Sequence, residues 1–170
     1  MRRAAAHVFV GDLTQPRLAN GDFHHLSRVL RLRPGQTVTV GDGRGGWRLC
    51  EWAGRPELQP AGETVSERPP TPRLTVALAS MATRDGRLDW AVQKLTETGV
   101  DRIVLMTSTR CVARWQESRV PLQLERLRAV ARAAAMQSRR TWLPAVEGPL
   151  PFSRLASCHS GGEVALAELG

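Results

Sequence analysis

Leu74-Thr75-Val76-Ala77-Leu78-Ala79 is an almost unbroken apolar run of strand-forming length. Strict alternation would mark a strand with one wet face. A continuous run predicts instead a strand covered on both faces, as parallel sheets require. Downstream, Asp85 is placed to cap a helix whose Leu88, Val92 and Leu95 fall three and four apart, and Gly99 supplies its stop. Arg102–Met106 is a second apolar strand. Strand, helix and strand over that length predict a βαβ unit, hence parallel pairing through a right-handed crossover.

Toward the C-terminus a longer helix is expected from about Ser118 to Gln137. Pro121 falls in its first turn, where the missing amide proton costs little, and Leu124, Leu127, Ala131 and Ala134 form its apolar stripe. Arg139 and Arg140 close it at the negative end of the helix dipole. A Pro-rich turn, a short helix near Phe152–Ala156 and a last strand, Glu163–Leu166, are expected to follow.

Upstream of the apolar run, Glu67-Arg68-Pro69-Pro70-Thr71-Pro72 reads as a stiff extended linker. Before it the pattern is one of short strands. His7–Val10, Gln36–Val40, Trp47–Trp52 and Thr64–Glu67 are the candidates, with a turn at Gly41-Asp42-Gly43. Asp22 is placed to cap a short helix carrying Phe23, Leu26, Val29 and Leu30, ended by Arg33-Pro34-Gly35. The sum is a small β-barrel-like domain with one helix, followed by an α/β domain.

The net charge is +8, and Lys94 is the only lysine among 24 basic side chains. Arginine pairs bidentately with phosphate, so an excess of it suits nucleic acid. From Arg110 to Arg140 eight arginines face two glutamates, Glu117 and Glu125. Arg128, Arg132 and Arg139 are candidates for one phosphate-facing surface, with Trp115 and Trp142 flanking it as possible stacking platforms. On the helix Leu88–Thr98, Gln93, Lys94 and Glu97 are close enough for a weak, solvated ion pair. Cys50, Cys111 and Cys158 have neither the spacing of a disulfide framework nor that of a zinc site, and read as small buried hydrophobes. The adjacent pair His24-His25 points in diverging directions on a helix, so no metal is expected. No run is long and apolar enough to span a bilayer, and the first residues make a poor secretory signal, so a cytoplasmic chain without membrane contact is expected. The Walker, dinucleotide, zinc-protease and nucleophile-elbow motifs are all missing.

Five stretches taken in order carry more information than any one alone. They are His25–Gln36 with Gly41-Asp42-Gly43, then Arg84–Lys94, Glu97–Val100, Thr109–Val112 and Ala133–Arg140. Together they resemble the ribosomal RNA small-subunit methyltransferase E family, uracil-N3-specific members of the SPOUT class, over nearly the whole chain. The fold this implies is α/β: an N-terminal PUA-like RNA-binding β-barrel over residues 1–68, then the first part of a SPOUT (α/β knot) domain with a parallel sheet over residues 73–170. The implied activity is methylation of N3 of one uridine in 16S ribosomal RNA of the small ribosomal subunit. S-adenosyl-L-methionine is the implied cofactor and a homodimer the implied assembly.

Carried over position by position, Arg28, Arg31, Arg33, Arg84, Arg110 and Arg139 become RNA contacts, and Ala167 and Glu168 the beginning of the cofactor site. No catalytic residue is assigned. His7 stands where the family usually has an arginine, and Met136 where it usually has a glutamate. The family's GPEGG loop and later knot segments have no counterpart here, so the chain is expected to be an N-terminal portion, poor in cofactor binding. The rival expectation is a stand-alone RNA-binding module without catalysis.

Overall fold

A computed structural model of the chain describes residues 4–71, 73–79, 87–107, 115–157 and 164–165. The first half is built on β1 (His7–Phe9), β2 (Thr37–Gly41), β3 (Gly46–Glu51), β4 (Gln59–Pro60) and β5 (Val65–Ser66). β1 runs parallel to β2, β2 and β3 form an antiparallel hairpin, and β4 and β5 pair antiparallel with β3. Asp42 shapes the hairpin turn: its Oδ1 accepts from the N–H groups of Arg44 (2.7 Å) and Gly46 (3.0 Å). Val8, Leu26, Val38, Val40, Cys50 and Trp52 fill the core beneath. Burying each large apolar side chain contributes roughly 1.5–3 kcal/mol. Burial also pushes the Cys50 thiol up to about 11, so it packs as a small hydrophobe.

The helix of this half differs from the expected one. α1 (Asn20–His24) passes directly into a π-helical turn, His25–Val29, closed by the Leu30 N–H donating to the His25 carbonyl at 2.9 Å. The extra residue in the turn breaks the three-and-four spacing. Leu26 is fully buried, whereas Val29 and Leu30, expected on the same stripe, are 61% and 44% exposed. Nor does Asp22 cap the helix. Ala19 holds that position, and Asp22 lies inside the first turn with its carboxylate turned elsewhere.

The second half is the expected parallel layer. β6 (Thr75–Ala79), β7 (Arg102–Thr107) and β8 (Ala145–Pro151) are parallel and ordered β6-β7-β8. The crossovers are α2 (Arg87–Glu97) and α3 (Val120–Ser138), the latter entered through a 3₁₀ turn at Glu117–Arg119. Val92, Ile103, Leu105, Leu127, Ala131 and Val146 join the helices to the sheet.

β8 corrects the expected Pro-rich turn. Its prolines are tolerated because, among the described residues, it is an edge strand with one neighbour. Gly148 permits the close approach to β7: its φ is +109°, and a Cβ there would collide with the Leu105 carbonyl. α4 (Phe152–Ser157) follows as expected. Of the anticipated last strand, Val164 and Ala165 adopt no strand, while Glu163 and Leu166 lie outside the described residues, as do Asp85, Cys111 and Cys158.

Candidate nucleic-acid interface

The two halves are joined by more than the Pro-rich segment. Arg132, on α3, reaches to α1 and holds both Asp22 carboxylate oxygens, at 3.0 and 2.6 Å. Its Nη2 also donates to the Phe9 carbonyl at 3.0 Å. Asp22 is only 8% exposed, a position a carboxylate tolerates when paired.

Just past α3, Arg140 turns toward the end of α2. Its Nη1 donates to the Thr96 and Val100 carbonyls at 2.9 and 2.8 Å, with the Asp101 carboxylate 3.5 Å away. A cation there satisfies carbonyls the helix leaves open. The Arg140 carbonyl in turn receives His7 Nε2 at 3.1 Å. A carbonyl only accepts, so Nε2 carries a ring proton; Nδ1 lies 2.9 Å from the Thr39 hydroxyl, which also reaches the Ala6 carbonyl at 3.2 Å. Burial pulls the His7 pKa down to about 4, keeping the ring neutral at ordinary pH.

The next residues are laced to the β2–β3 turn. The Gly45 N–H donates to the Thr141 carbonyl (3.1 Å), the Leu143 N–H to that of Gly43 (3.0 Å), and the Thr141 hydroxyl to Glu67 Oε2 (2.7 Å). Gly45 has no room for a side chain: a Cβ would lie 2.6 Å from both the Glu67 carbonyl and the Trp142 ring.

Between β1, the π-helical turn and the second half of α3 runs a cleft of about 430 Å³, with the dimensions of a small-ligand site. Ala5, Ala6, Leu26, Leu30, Ala133 and Met136 supply apolar walls; His25, Gln137, Arg132 and Arg139 supply polar ones. Arg139 is the residue that ends α3. It sits in left-handed backbone (φ 55°, ψ 38°) and donates through Nη2 to the Ala4 carbonyl at 2.7 Å. Arg31, next to Leu30, has φ 51°. Among the described residues these are the two non-glycine positions with positive φ. The conformation costs an L-residue roughly 1 kcal/mol, and helix ends normally give the position to glycine.

Arg28, Arg31 and Arg33 are exposed, Arg31 following the cleft residue Leu30 in the chain, and Arg139 lines the cleft from the end of α3. Arg84 and Arg110, and likewise Ala167 and Glu168, lie outside the described residues. The arginines of α3 are used differently. Arg126 pairs with Asp89 at 2.8 Å, and Arg128 donates twice to the Val146 carbonyl, at 3.2 and 3.1 Å. The continuous track through Arg128, Arg132 and Arg139 is therefore interrupted, each of its members ending on a protein acceptor. Trp115 packs against the α/β core, and Trp142 is half-buried with the Arg73 guanidinium 5.7 Å from its ring. Neither has the open face of a stacking platform.

His7, read as a substitute for a surface arginine, is an internal strut. Met136 packs on the first core with its sulfur 3.3 Å from Arg132 Nη1. Lys94 and Gln93 both bond Glu97, as their spacing predicts, and hold its carboxyl below the usual carboxylate range. Sequence reasoning missed the Arg132–Asp22 link and the cleft; their partners are far apart in the chain and leave no local signal. Among the described residues, no group of three or more His, Cys, Asp and Glu is placed to hold a metal ion, and no helix is long and apolar enough to cross a membrane.

A family model for the RNA methyltransferase domain matches residues 69–167, and one for the RNA methyltransferase PUA domain matches residues 18–54. These matches, laid over the two halves of the fold, define the class: an RNA methyltransferase domain of SPOUT type behind a PUA-like domain. The ribosomal RNA small subunit methyltransferase E of Mycobacterium bovis is 38% identical over 128 residues, covering 74% of this chain and 48% of that protein. Its Synechocystis counterpart is 34% identical over 150 residues, covering 86% of this chain and 47% of that protein. The chain belongs to the ribosomal RNA small subunit methyltransferase E family, and it spans about half the length of these curated relatives. Its fold is similar to the crystal structure of the Neisseria gonorrhoeae ribosomal RNA small subunit methyltransferase E bound to S-adenosyl methionine. There the TM-score is 0.78 at 22% identity, over 92% of this chain and 66% of that one.

Proposed function

We propose that the whole protein methylates N3 of one uridine in 16S ribosomal RNA, acting in the cytoplasm on the small ribosomal subunit as a homodimer with S-adenosyl-L-methionine as methyl donor. Residues 1–68 act as the RNA-holding domain and 73–170 as the N-terminal portion of the methyltransferase domain. Family membership supports the reaction, and the share of the relatives spanned supports reading the chain as such a portion. The observation that carries the RNA part is the exposure of Arg28, Arg31 and Arg33 on and just after the π-helical turn whose His25 and Leu26 line the cleft. Arg84 and Arg110 extend this footprint, and Ala167 and Glu168 begin the cofactor site.

Both described cavities carry charges of either sign: Arg128, Arg132 and Glu147 line one, and Arg139 with the paired Arg132 and Asp22 the other. Uracil N3 bears a weakly acidic proton that a base must take, and the nitrogen is reached only in an unpaired or flipped nucleotide. The test is mass spectrometry of ribosomal RNA from a strain lacking the gene. Loss of one N3-methyluridine from the small-subunit RNA, restored by the gene, is the expected result. An unchanged methylation pattern, with RNA still bound by the chain, would transfer the assignment to an RNA-binding module.

A further inference from the structure

The cleft holds hydrogen-bonding capacity that the fold leaves unused. Gln137 and His25 both line it, and among the described residues neither side chain has a hydrogen-bond partner. A glutamine amide offers one donor face and one acceptor face, the combination that reads the edge of a nucleobase. Leu30, Ala133 and Met136 add an apolar surface of the kind a base plane covers. Asp22 is neutralised by Arg132, so the charge of this region is set by Arg139 and by Arg31 beside Leu30. Both arginines occupy backbone positions where glycine would be less strained, at a junction of two domains and next to a π-helical turn. Strain of this kind persists where a side chain is needed.

Resting on the RNA-binding reading above, we infer that the cleft takes one unpaired ribonucleotide of the bound RNA. Arg31 and Arg139 hold its phosphate, and its base lies against Leu30, Ala133 and Met136 with its edge on Gln137 and His25. This nucleotide is a positioning anchor, distinct from the one that is methylated.

The experiment is an anisotropy titration of fluorescein-labelled single-stranded oligouridylate and oligoadenylate against the full chain over a series of salt concentrations. Gln137→Ala removes the edge contact in an exposed helical position. Ala133→Phe, also exposed, fills the cleft without changing charge. Each is expected to weaken binding of at least one oligomer about tenfold with the salt slope unchanged. Arg139→Gly, which relieves the left-handed strain, should keep or raise the thermal midpoint while lowering the salt slope by about 1. Wild-type binding by both Gln137→Ala and Ala133→Phe would overturn the inference and leave the RNA reading standing. So would an Arg139→Gly variant that loses thermal stability at unchanged affinity, since Arg139 would then serve only to hold Ala4. A wild-type chain that binds neither oligomer would overturn both.

Discussion

Arg28, in the π-helical turn, and Arg31 and Arg33 just past it are exposed and, among the described residues, have no protein partner for their side chains, whereas Arg126, Arg128, Arg132, Arg139 and Arg140 all end on protein acceptors. Counted along the chain, the second group is the more basic. Counted in space, much of its charge is already engaged. Like charges clustered on one helix look uncompensated in sequence, yet Asp22, Asp89 and Asp101 supply carboxylates from other elements, and main-chain carbonyls supply the rest. A basic segment is a binding surface only to the extent that folding leaves its donors unspent.

The contrast predicts opposite phenotypes. Arg132→Ala strands a nearly buried Asp22 and should cost about 3 kcal/mol in chemical denaturation, with the Asp22→Ala, Arg132→Ala double variant recovering part of the loss. An unperturbed single variant would break the comparison at its strongest point. Acid should act next. The His7 pKa is lower in the folded chain than the ordinary 6.5, so its contribution is fully present above that value and is lost as pH falls toward 4. The loss is on the order of 3 kcal/mol. Denaturation midpoints followed from pH 7 to pH 4 should show it, and His7→Gln should flatten the curve. The smallest change in stability belongs to the exposed arginines. Converting Arg28, Arg31 and Arg33 together to alanine should leave stability within about 0.5 kcal/mol. It should nevertheless reduce the slope of log affinity against log salt by about 2 on single-stranded RNA. A triple variant that unfolds, or one whose salt slope is unchanged, would erase the distinction.

The periodic elements were legible because their physics is local. The apolar runs Leu74–Ala79 and Arg102–Met106 and the stripes of α2 and α3 needed no distant partner to be read, and they gave the parallel layer. β8 was hidden because Pro149 and Pro151 resemble turn residues unless one knows that the strand has a neighbour on one side only. The π-helical turn was hidden because His25–Val29 carries a spacing equally compatible with an ordinary helix. For the site, Arg28, Arg31, Arg33 and Arg139 could be named from the resemblance, but the cleft that Arg139 lines could not. That depends on Arg132 meeting Asp22, more than a hundred residues away.

Main-chain bonds from the β2–β3 turn to the segment after α3, tightened around a glycine that admits no larger residue, deny the Pro-rich segment any role as a hinge. Whatever the N-terminal half grips is thereby held at a constant reach and heading from the carboxyl ends of β6 and β7. On the function proposed above, an architecture of this kind selects by span: a nucleotide is presented to the sheet because of how far along the strand it lies from the point of grip.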